Sequence, residues 1–93
     1  MKEQRIKIES LDSAFVEKLF FEYNACLKIL GFLTAREETK ENHLQRYINL
    51  AERRNIELEI AKNEISLKYC PKGLVNYSFS FDFDKEEIIY SYE

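Results

Sequence analysis

Polar and apolar residues alternate strictly over residues 76–83, NYSFSFDF, which puts Tyr77, Phe79, Phe81 and Phe83 on every second position. A period of two places all four rings on one side of a β-strand. Residues 88–92 read as a second strand, and DKEE between them predicts a hairpin with a four-residue loop and no residue at positive φ. In that register Phe83 faces Ile88, Phe81 faces Tyr90 and Phe79 faces Tyr92. Ser80 opposite Ser91 and Asp82 opposite Ile89 occupy the other side. A shorter loop shifts these pairs but keeps the faces. RIKIE, residues 5–9, also alternates and predicts a short strand that can join the hairpin's edge.

Between these strands the period changes to that of a helix. Asp12 or Ser13 can cap a first helix. Over residues 13–33, Phe15, Val16, Leu19, Phe20, Tyr23, Cys26, Leu27, Leu30 and Leu33 share one broad face. TAREETKEN is a polar break, and a second helix starts from Thr39 or Asn42. Its stripe is Leu44, Tyr47, Ile48, Ala51, Leu58, Ile65 and Tyr69. The short connection predicts an antiparallel helical hairpin.

Two readings exist for residues 55–69. In the first, the helix runs to Tyr69 and stops at CPKG, where Pro71 and Gly73 lie just beyond its end. In the alternative, NIELEI and ISLKY form a strand pair turning at Lys62 and Asn63, and the two helices pack on a four-stranded meander. That order of elements resembles the RelE/ParE toxin-like topology. The basic and catalytic positions such ribonucleases use are absent, so no function is carried over. We take the long helix as the primary reading: good helix formers are frequent, and AKNE lacks the Asn-Gly signal of a tight hairpin.

An isolated hairpin is marginal in water, so its ring face must lie on something. With the long helix, the second helix is expected to overhang the first beyond about residue 62, by roughly 10 Å. Ile56, Ile60 and Leu67 form a second stripe there, and the rings are expected to cover it as core. The first helix also carries Phe21, Ala25, Ile29 and Phe32 outside its main face. A helix apolar nearly all round is buried from several sides. These four residues are the expected interface with a second subunit.

Composition narrows the chemistry. Apolar residues are 45% of the 93-residue chain and charged ones 33%, which describes one globular domain over residues 1–93. Net charge is −3 with no basic stripe, so nucleic acid is not an expected partner. No apolar run reaches a membrane span, and the charged start has no signal-peptide core, so no membrane partner and a cytoplasmic location are expected. The Lys, Glu, Ile and Asn content suggests an AT-rich bacterial or phage genome. The two cysteines and single histidine show no metal-ligand spacing. Cys26 reads as core, Cys70 as structural and His43 as solvated. Two glycines allow no phosphate loop, and Glu57 and Glu59 read as solvated acids.

The sequence therefore predicts an α+β protein: a two-helix antiparallel hairpin with a small antiparallel sheet built from the C-terminal hairpin and the N-terminal strand. It predicts no catalytic, cofactor-binding or metal site, and no cofactor. The expected function is that of a non-enzymatic oligomeric interaction protein, binding itself and another protein. The alternative is a small-ligand binder whose pocket between subunits is lined by Tyr47, Arg53 and Arg54.

Overall fold

A computed structural model describes residues 1–35 and 41–93, with the side chains of 41 and 42 left undescribed. Thr39 and the REE run therefore lie outside the described residues. The chain runs β1 (Lys2–Lys7), α1 (Ser10–Thr34), α2 (Glu41–Tyr69), β2 (Ser78–Asp82) and β3 (Glu87–Tyr92). This is the α+β architecture with a helical hairpin, and the long helix is the reading the structure adopts. The strand pair and its four-stranded meander are not formed. Residues 55–69 complete a helix of 29 residues, about 43 Å at 1.5 Å per residue. It ends before Pro71, with Gly73 at φ 88° in the following turn.

The sheet has the order β1-β3-β2 and is antiparallel throughout. The hairpin keeps its predicted face but slips by two residues. Phe79 pairs with Tyr90, Phe81 with Ile88, Ser78 with Ser91 and Ser80 with Ile89. The loop is still four residues, 83–86, but it begins where the Asp82 carboxylate accepts the Lys85 N–H at 3.1 Å. That side-chain turn fixes the start of the loop one residue early. Contrary to expectation, the loop needs a left-handed residue, Glu86 at φ 54°. β1 lies nearer the N-terminus than residues 5–9, because β3 extends to Tyr92 and supplies partners back to Lys2. Ile8 continues the pairing beyond the strand through its N–H to the Glu86 carbonyl at 2.9 Å.

α1 starts earlier than the capping signal indicated. Glu9, extended at ψ 143°, is the N-cap and makes no side-chain cap bond. Asp12 and Ser13 lie inside the first turn: the Ser13 N–H donates to the Glu9 carbonyl at 3.0 Å, and Asp12 is held by tertiary partners. The Tyr69 hydroxyl donates to Asp12 Oδ2 at 2.7 Å and accepts the Glu9 N–H at 3.0 Å. Lys68 Nζ reaches the same Asp12 oxygen at 2.8 Å. These contacts tie the end of α2 to the start of α1. The two helices are therefore level there, and the expected overhang does not exist.

With no overhang to cap, the sheet lies over both helices as a second layer. Ile8, just past β1, joins Ile88 and Tyr90 in a buried cluster, against which Ile6 of β1 and Tyr69 of α2 pack. On β3, the Tyr90 hydroxyl donates to the Ser66 carbonyl. On β2 and its loop, Phe81 and Phe83 pack on Val16, Leu19, Leu58, Ala61 and Ile65. Successive strands thus cross successive turns of α2, moving back from its C-terminus. The rings of β2 are half-buried rather than fully enclosed, and the fully buried large side chains are Tyr90, Ile88 and Val16. The Ile56, Ile60 and Leu67 stripe, expected beneath the rings, stays exposed. It lies half a turn around α2 from the buried Leu58. The protein measures 53 × 26 × 19 Å. Past Tyr23 and before Asn55 the hairpin extends beyond the sheet, and Cys26 and Ala51 are its buried apolar residues.

Candidate functional site: the exposed back of the hairpin

α1 turns Val16 and Leu19 toward the interior, so residues half a turn away face out. Phe21 is 65% exposed, Ile29 41% and Phe32 62%, and Ala25 between them is also exposed. The sheet does not wrap over this stripe. Leu11 and Phe15 lie on its flank, and Phe15 enters a groove of about 350 Å³ shared with Ile60, Glu57 and Glu64 of α2. Most of the exposed large apolar side chains are thus on the helices, away from the sheet. Lys18, Glu22 and Lys28 border the α1 stripe, and Glu22 meets Arg54 at 3.7 Å.

A second concavity lies where β2 meets the hairpin. It holds about 370 Å³ between Phe20, Tyr23, Leu58, Phe79, Phe81 and Phe83, with Asn55, Glu59 and Lys62 at the rim. Phe81 and Phe83 stack there at 5.9 Å between centroids, and Phe20 meets Phe83 at 6.1 Å. The rings explain why β2 is only half-buried: one side of their row opens into this cleft. The alternating sequence pattern revealed the ring row but not this opening, which depends on where the sheet stops along α2.

Within one chain, the candidate ligand contacts Tyr47, Arg53 and Arg54 take separate positions on α2. Arg54 binds Glu57 at 3.0 Å and Glu22. Arg53 lines a shallow hollow with Arg46, Asn49 and Leu50, and half-buried Tyr47 lies on the Arg54 face of α2, two turns away. Glu57 and Glu59, two positions apart on α2, point to opposite sides of the helix, where Glu57 meets Arg54 and Glu59 meets Lys62, each at 3.0 Å. His43 is exposed in the first turn of α2. The Cys70 thiol points at the Pro71 and Leu74 carbonyls, 3.5 and 3.7 Å away. Among the described residues, no group of three or more His, Cys, Asp or Glu side chains could hold a metal ion, and no helix is long and apolar enough to cross a membrane.

A perturbed acid at the helix junction is structural. Hydrogen bonds from Lys68 and then Tyr69 hold the Asp12 carboxyl below its ordinary range. The same contact raises Lys68 and Tyr69. On the outer face of the sheet, Arg5 bridges Glu87 at 3.1 Å and Asp82 at 3.5 Å, so one cation spans all three strands. Comparison with known proteins gives no match: no family model, curated protein or solved structure is similar to this chain.

Proposed function

We propose that this chain is a non-enzymatic interaction protein that works as a small homo-oligomer in the cytoplasm, serving as an adaptor, inhibitor or assembly component of bacterial or phage origin. One observation carries the reading: the exposed apolar side chains on the helices. Taking about 200 Å² for a whole large side chain, those of α1 and α2 away from the sheet leave on the order of 900 Å² in water. The α1 side chains account for about 600 Å² of it, the upper edge of the patch of an ordinary monomer, and the α2 stripe adds a second patch on the flank facing away from α1. Pairing the back of one hairpin with that of another copy completes a four-helix arrangement. The acids at 57 and 59, each held by a basic neighbour, favour a binding role over acid–base chemistry.

Phe21→Glu tests the reading. A charge at the seam is introduced once per subunit, so its desolvation cost counts twice in a dimer. The variant is expected to lose mass by light scattering, or to unfold. A folded Phe21→Glu oligomer of unchanged mass rejects the interface. The ring-walled cleft beside β2 favours a second reading, a binder of small apolar or aromatic ligands. Native mass spectrometry of the freshly purified protein separates the two, because a co-purifying small molecule supports only the second.

A further inference from the structure

Resting on that oligomeric reading, we infer that the occupant of the α1 stripe is a second copy of this chain, docked antiparallel with a two-fold axis passing Ala25. The stripe is balanced about this residue. Phe21 lies four positions before it and Ile29 four after. An antiparallel copy centred on Ala25 therefore brings Phe21 level with Ile29 of the second copy on both sides of the axis. A small residue at the axis lets the helices approach, and the larger side chains interdigitate on either side. Lys18 and Phe32 lie seven positions before and after, so these also come level. The lysine stem can lie along the ring while its ammonium stays in water.

Charge selects this register over its neighbour. Sliding one copy by four residues sets Phe21 against Ala25, but it also brings Lys18 level with Lys28 of the second copy. Like charges at a seam disfavour that arrangement. The area suits the same partner at the small end of the range. In this register residues 16–34 of the two copies overlap, and Phe21, Ile29 and Phe32 bring on the order of 350 Å² per copy into the seam. A polar rim of Lys18, Glu22 and Lys28 takes the total toward the roughly 1,200 Å² at the low end of specific interfaces.

Site-directed cross-linking tests the register. In a Cys26→Ala, Cys70→Ser background, Ala25→Cys places two thiols across the axis, where the under-7 Å Cα separation of a disulfide is attainable. Lys18→Cys places them 14 residues apart along the seam, about 21 Å. Mild oxidation is expected to convert most of the Ala25→Cys protein to covalent dimer and little of the Lys18→Cys protein. A short bismaleimide repeats the comparison without demanding disulfide geometry. If Lys18→Cys cross-links as well as Ala25→Cys, or if neither does while light scattering shows a dimer, the register is overturned and the oligomeric reading stands. A monomeric background protein with the wild-type circular dichroism spectrum overturns both.

Discussion

Ile88 and Tyr90 carry the centre of the sheet: they occupy the middle strand, point at the helices and are fully buried. Burial also pushes the Tyr90 hydroxyl above its ordinary range, and Ser66 supplies its acceptor. Ile88→Ala is expected to cost about 2–5 kcal/mol. Phe79→Ala should cost less, because its ring borders an open cleft. Ser80→Ala, on the outer face, should stay within about 0.5 kcal/mol. Denaturant midpoints of the three variants check this order, and a Phe79 variant as damaging as Ile88→Ala would show the cleft to be closed. Alternation in the sequence identified the ring face but could not rank β2 below β3, since rank follows from strand order. The thiols also differ at this scale. Cys26 is buried, Cys70 is half-buried, and both are free. Titration without reductant is expected to find two thiols per chain, Cys70 reacting first; an intrachain bridge would contradict the fold.

Elements are held in place at their ends, and the junction of α1 and α2 is the clearest case. The Asp12 carboxyl is stabilised in its charged form by Lys68 and Tyr69. Its folded pKa is lowered, so its contribution is present above the unfolded value near 3.9 and is lost as pH falls through the folded value. Lys68 and Tyr69 are raised, so their contribution holds below about pH 10 and is lost as pH rises further. Asp12→Asn should therefore lower stability at pH 7 and flatten its decline between about pH 5 and pH 2. Urea unfolding at several pH values measures both effects, and an unchanged acid slope would remove Asp12 from the account. The same junction shows why helix boundaries were only partly legible. Periodicity located both helices, and Pro71 with Gly73 located the end of α2. Asp12 resembled a cap because its side chain suits one, yet its partners lie 56 and 57 residues away. The hairpin register was hidden for a related reason. The bond from the Lys85 N–H to Asp82 starts the loop before Phe83, and the ring of Phe83 then meets Phe20.

At the scale of the whole molecule, one sheet layer covers roughly half of a long helical hairpin and leaves its back in water. The surplus apolar positions of α1 were visible in the sequence as a helix apolar nearly all round. The stripe of Ile56, Ile60 and Leu67 is visible there too, but its fate depends on how far the two helices overlap, which the sequence pattern does not show. Once Asp12 brings them level, the rings lie across both helices and the second stripe is left outside. Two exposed stripes on one hairpin are the reason to expect assembly. The molar mass of the wild-type protein in solution tests that expectation most directly. Sedimentation equilibrium at tens of micromolar should give a mass at least twice the 11.2 kDa of the chain, stable on dilution over a tenfold range. A folded species of 11.2 kDa under those conditions would contradict the account.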